Sequence, residues 1–169
     1  MFLYNEVQKR EANQERVRVG LIGAGKFGSM FLSQVPFTIG LEVISIVDIC
    51  VENAKKNCRD VGWTKEQIES VLFFDNLKKM ISQTKIDVLV EATGDPVEGT
   101  KHALIAIEQG LDIVMVNVEA DVLSGPYLAK EADKAGIVYS MAYGDQPALT
   151  TELVEWARAS GFNVVAAGK

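Results

Sequence analysis

The chain has 169 residues, 48% apolar and 24% charged, which fits one soluble globular domain with a real core and excludes a disordered or fibrous chain. Its net charge of −6 argues against a nucleic-acid partner, and no apolar run approaches the roughly 20 residues that cross a membrane. Two cysteines and one histidine leave little for disulfide, multi-histidine metal or histidine-triad chemistry.

Residues 1–16, MFLYNEVQKREANQER, lack the apolar core and cleavage site of a signal peptide. They are expected to form a polar helical lead-in that packs Phe2, Leu3 and Tyr4 on the domain or on a partner. With two free thiols, the expected setting is the cytoplasm. Cys50 and Cys58 lie about 12 Å apart on an expected helix, too far to bridge at ~1.5 Å per residue.

From Val17 onward, strands and helices alternate. The first strand, Val17–Ile22, runs into Gly23-Ala24-Gly25-Lys26-Phe27-Gly28 and a helix that stops near Pro36. Val43–Val47 is the second strand, followed by a helix over 52–60. Thr64 and Gln67 have capping-box spacing, so another short helix starts there. Val71–Phe74 is the third strand, and Asp75 or Asn76 caps the next helix. Asp87–Ala92, broken only by Glu91, is the fourth, followed by Thr93-Gly94-Asp95-Pro96 and a helix to Gln109. His102 falls mid-helix and is read as solvated or half-buried. Ile113–Val116 is the fifth strand, and Ser124 or Gly125 is expected to cap a helix begun by Pro126. Ile137–Met141 is the sixth strand; a helix opened by Pro147 and a last strand, Phe162–Ala166, follow.

This alternation predicts an α/β, Rossmann-type doubly wound fold over 17–169, its sheet mainly parallel with six or seven strands. The chain stops just after the last expected strand, and we read it as a cofactor domain cut from a longer protein whose substrate domain is missing. Such a piece alone is expected to be inactive.

In that setting the glycine turn is a dinucleotide fingerprint. Gly23 allows the tight exit from the strand, Gly25 lets the backbone approach a pyrophosphate, and Gly28 lets the helix pack on the sheet. Lys26 and Phe27 complete the turn; Lys26 is read as solvated, with a phosphate within its reach. Asp48, 20 residues past Gly28, can accept hydrogen bonds from the adenosine ribose hydroxyls. Its carboxylate repels a 2′-phosphate, so NAD is preferred over NADP. Ala92, Thr93 and Gly94 suit a floor for ribose or pyrophosphate, with a plain strand-to-helix turn as the alternative. Asn117 and Glu119 could meet the nicotinamide ribose, its carboxamide or a substrate; alternatively Asn117 or Asp121 simply satisfies loop N–H groups. Asp145 could face the nicotinamide or merely cap the last helix; capping is preferred. Glu119 and Asp145 are the candidate catalytic groups, and no metal ligands are expected.

Beyond VGLIGAGKFG and EATG, the stretch VMVNVEADVLSGPYLAKEADKAGIVYSMAYGDQPA and the closing ELVEWARASGFNVVAAGK resemble the homoserine dehydrogenase-like family of NAD(P)-dependent oxidoreductases. Within it they look like the SAF-domain subgroup that includes deoxyxylulose-phosphate reductoisomerase-like enzymes. The resemblance implies hydride transfer to or from a small polar metabolite, phosphorylated or not. It also implies substrate and SAF domains further along a homo-oligomeric protein. Homoserine dehydrogenases carry an Asn-Lys pair after the fifth strand, whereas Asn117 precedes Val118, which points away from homoserine. The reductoisomerase-like relatives are associated with NADPH, against which Asp48 argues for NAD. A non-catalytic nucleotide-sensing domain is the alternative function, and a transferase binding S-adenosylmethionine is the third.

Overall fold

The computed structural model describes residues 2–144 and 146–168. The elements in chain order are α1 (Leu3–Ala12), β1 (Val17–Ile22), α2 (Lys26–Gln34), β2 (Leu41–Val47), α3 (Val51–Asp60) and α4 (Lys65–Glu69). They continue with β3 (Leu72–Phe74), α5 (Leu77–Gln83), β4 (Val88–Glu91), α6 (Pro96–Glu108), β5 (Asp112–Met115), α7 (Val118–Ala135), β6 (Tyr139–Met141) and α8 (Gln146–Ala159). A 3-10 turn over Val35–Phe37 takes Pro36 after α2.

The six strands are all parallel, in the order β3-β2-β1-β4-β5-β6. The order reverses between β1 and β4, which is where an open α/β sheet forms its ligand crevice. Alternate side chains feed two cores. Leu21, Ile46 and Val90 pack with Leu32 of α2 and with Ala54 and Cys58 of α3. Ile22, Leu89 and Ile113 pack on the other face with Met80 of α5, Ala106 of α6 and Leu128 of α7. Burial on both faces explains why β1 and β4 read as continuous apolar runs.

Local chemistry sets the helix starts. Thr64 and Gln67 form the expected capping box on α4. Of the two candidates before α5, Asn76 is the cap, accepting from the amides of Lys78 and Lys79, while Asp75 pairs with Lys79. Asp95 caps α6, with Pro96 in its first turn.

Three expectations are corrected. Helix α7 starts at Val118, not at Pro126, because the Asn117 side chain accepts from the Ala120 amide and starts the helix two turns earlier. Pro126 then lies inside the helix, where it removes one backbone hydrogen bond. Residues 162–168 form no strand; Phe162 and Val165 are exposed, and the sheet ends at β6. At the start of α1, Phe2, Leu3 and Tyr4 are exposed, which removes packing on the domain and leaves the partner as the expected alternative. Instead, Val7 lies against Gly40, and Glu11 accepts from the Gly40 amide and pairs with Arg16. Among the described residues, no helix is long and apolar enough to cross a membrane.

Candidate dinucleotide site

The turn after β1 is held from three sides. Gly23 has φ +89°, and a Cβ there would stand 3.0 Å from the Ala92 carbonyl at the end of β4. At Gly28 a Cβ would collide with the Gly23 carbonyl oxygen, so only glycine lets α2 start this close to its own strand. Gly25 differs: it has φ −70° and nothing within 4 Å of a Cβ. Its lack of a side chain answers no internal crowding and leaves the backbone open on the cleft side.

Asp48, at the end of β2, ties the turn to the next helix. One carboxylate oxygen accepts from the Ala24 amide at 3.0 Å and the other from the Cys50 amide at 2.9 Å. Asn57 of α3 donates to the Ala24 carbonyl at 2.7 Å, and Ser29 to that of Gly25 at 2.7 Å. The carbonyls of Ala24 and Gly25 are thus occupied. The amides of Gly25, Lys26, Phe27 and Gly28, by contrast, have no acceptor among the described residues. These are the free N–H groups of a helix start, pointing where an anion is favoured.

Beside this turn lies a cleft of about 520 Å³ between α5 and α6. Gly23, Gly25, Asp48 and Ala92 stand on its strand-end side, and Ile49, Leu77 and Ile105 supply apolar wall. Four carboxylates (Asp48, Asp75, Asp95 and Glu98) line it against two lysines, Lys78 and Lys101. Lys101 is tied to Glu98 at 2.6 Å, which holds the ammonium above the usual lysine range. A second cavity of about 400 Å³, lined by Glu11, Arg16, Phe37 and Trp63, sits at the opposite, amino end of the strands.

The candidate residues fall into two groups. Gly23, Gly25, Asp48, Ala92 and Thr93 come together in the cleft wall, next to Gly28 at the base of α2. Lys26 and Phe27 are exposed on its first turn. Gly94 has φ +76° and shapes the turn into α6. Asn117 is 2% exposed and points inward; besides capping α7, its amide donates to the Asp95 carbonyl at 2.8 Å. Glu119 is exposed on α7 and is not part of the cleft wall. Asp145 lies outside the described residues. Asp121, the other possible cap, instead accepts from the Tyr139 hydroxyl at 2.9 Å; burial, then this bond, pushes the phenol well above its usual range.

Sequence reasoning missed one pair. Glu91, the lone charge in β4, is fully buried and lies 3.2 Å from the imidazole of His102, which lines the cleft. The signal was a glutamate in an otherwise apolar strand. Its partner is visible only once α6 lies over β4.

The donor set fits a dinucleotide: free amides for phosphates, a carboxylate for ribose and an apolar slot for a base. Residues 19–142 match the family model described as "Homoserine dehydrogenase, NAD binding domain". The chain belongs to this family. Residues 144–169 match a second model, "Oxidoreductase DRL, catalytic domain". No curated protein matches the chain.

Among solved structures, a dehydrogenase from Chromobacterium violaceum is similar at 19% identity and TM-score 0.60, covering 85% of this chain and 40% of its own. The WlbA dehydrogenase of Bordetella pertussis, described in complex with NADH and UDP-GlcNAcA, is 21% identical with TM-score 0.58, covering 86% and 43%. Myo-inositol 2-dehydrogenase from Lactobacillus plantarum is 16% identical with TM-score 0.59, covering 86% and 42%. At these identities the likeness is one of fold. The chain spans about two fifths of the length of these structures.

Proposed function

We propose that this NAD-binding domain serves a dehydrogenase that uses NAD(H) in preference to NADP(H) and exchanges hydride with a small polar metabolite. The observation that carries the cofactor preference is Asp48, whose carboxylate ends β2 inside the cleft. Its two oxygens each accept one backbone amide, which leaves lone pairs for ribose hydroxyls. A 2′-phosphate would meet like charge there. At 4 Å that costs about 1 kcal/mol in water and about 4 kcal/mol at the effective dielectric near a protein surface. The excess of carboxylates over lysines in the wall acts in the same direction.

In this reading the free amides of the first turn of α2 bind the pyrophosphate, and Asp48 orients the adenosine ribose. Ala92 and Thr93 form the floor under the chain of phosphates and riboses. The nicotinamide supplies the hydride chemistry when bound; this chain's part is to bind and orient it. The match of 144–169 to an oxidoreductase catalytic domain supports an enzyme over a non-catalytic sensing domain. Val118 after Asn117, where homoserine dehydrogenases carry a lysine, favours a substrate other than homoserine.

Fluorescence titration with NADH and NADPH tests the preference. NADH is expected to bind about tenfold tighter or better, and Asp48→Asn to narrow the gap to about threefold. NADPH binding as tightly as NADH to the unaltered chain would overturn it.

A further inference from the structure

Glu91 and His102 do more than fill the core. The Glu91 carboxylate is fully buried; one oxygen accepts from the Thr93 hydroxyl at 2.5 Å and lies 3.2 Å from His102 Nδ1. The other oxygen has no hydrogen-bond partner among the described residues. A buried carboxylate with an idle oxygen costs stability that an apolar residue, such as its neighbours Leu89 and Val90, would not. What Glu91 does supply is orientation. With the carboxylate as acceptor, Nδ1 carries the proton and the ring is held in one pose. His102 Nε2 is left without a partner among the described residues and available as an acceptor. Its side chain is 15% exposed, and that exposure is in the cleft, beside Lys101 and Ile105.

The rest of the wall says which part of a ligand would meet it. The cleft reaches Asp48 and Ile49 after β2 and Asn76 and Leu77 after β3, but not Asn117 or Glu119 after β5. It therefore lies on the adenosine side of the turn. We infer that His102, oriented from below by Glu91, is a contact residue for the adenosine half of the dinucleotide, its Nε2 accepting from the base amine or a ribose hydroxyl. The inference rests on the nucleotide assignment made under Proposed function. It adds a positioning residue, Glu91, and a ligand contact, His102, to that site.

His102 is the only histidine, so an untagged chain labelled with ¹⁵N-histidine shows a single imidazole in two-bond ¹H–¹⁵N spectra. Saturating ADP-ribose and saturating NADH are both expected to move Nε2 and its ring proton, whereas nicotinamide mononucleotide leaves them in place. Glu91→Gln is expected to shift the tautomer signature before any ligand is added and to weaken ADP-ribose binding about tenfold; ADP-ribose binding unchanged despite the shifted tautomer would overturn the positioning role. Ring signals unmoved while NADH binds, or moved by nicotinamide mononucleotide and not by ADP-ribose, would overturn the inference and leave the dinucleotide site standing. Failure of the unaltered chain to bind NADH at all would overturn both.

Discussion

Gly25 and Gly28 sit three residues apart in one turn and are there for different reasons. A methyl group at position 28 would strike the Gly23 carbonyl, a backbone atom that cannot swing aside. Gly28→Ala is therefore expected to lower stability by several kcal/mol, in the range of severe overpacking, with urea unfolding as the measure. At position 25 the same methyl meets nothing, so Gly25→Ala should fold with stability changed by less than about 0.5 kcal/mol. Its NADH affinity should nevertheless fall by about tenfold, because the methyl enters the approach to the free amides. Equal stability losses in the two variants would contradict the division of roles. Both glycines were legible from the spacing of the turn. The Glu91–His102 contact was not, since it depends on how a helix lies across a neighbouring strand.

The amino end of the sheet is tied by an ion pair between β1 and the residue before β4. Arg18 of β1 holds Asp87 through two side-chain bonds, at 2.9 and 2.5 Å, and the Arg18 amide donates to the same carboxylate at 2.8 Å. The side-chain bond to Arg18 is the main reason the Asp87 carboxyl is held below its usual value of 3.8. A depressed folded pKa means the stabilisation is fully present above that usual value and is lost as pH falls through the lower folded one. Both side chains are partly solvated, so about 0.5–1 kcal/mol is expected. Asp87→Asn should lose that much at pH 7 and flatten the acid limb of urea midpoints plotted against pH; an unchanged limb would count against the pairing.

At the scale of elements, α7 shows what pattern reading cannot weigh. Pro126 preceded by Ser124 and Gly125 reads as a helix start, yet the helix already runs from Val118. Asn117 decides this through three-dimensional contacts: it caps α7 and also donates to the Asp95 carbonyl before α6, joining two helices that pack side by side. Asn117→Ala should thus cost about 2 kcal/mol, a lost cap plus the lost hydrogen bond to the Asp95 carbonyl, read from urea midpoints. A loss under about 0.5 kcal/mol would mean that α7 is held by packing alone. The stretch 162–166 failed for a related reason. Its apolar residues suit a strand, but a strand also needs an edge to pair with, and Phe162 and Val165 remain in solvent. The other strands were legible because a parallel sheet buried on both faces writes itself as short apolar runs.

For the molecule as a whole, the strand order and the chemistry of the turn converge on one end of the sheet. The reversal between β1 and β4, the free amides of α2, Asp48 and the 520 Å³ cleft all lie at the carboxyl ends of the strands. The 400 Å³ cavity at the amino ends has Trp63 and Phe37 in its wall but none of that chemistry. Backbone amide NMR of the uniformly labelled chain during an NADH titration separates the two ends directly. The expected result is saturable shifts at Gly25, Lys26, Phe27, Asp48 and Thr93, with the amides of Phe37, Trp63 and Val71 unmoved. Shifts confined to the Phe37–Trp63 end, or none at millimolar NADH, would contradict a dinucleotide site at the glycine turn.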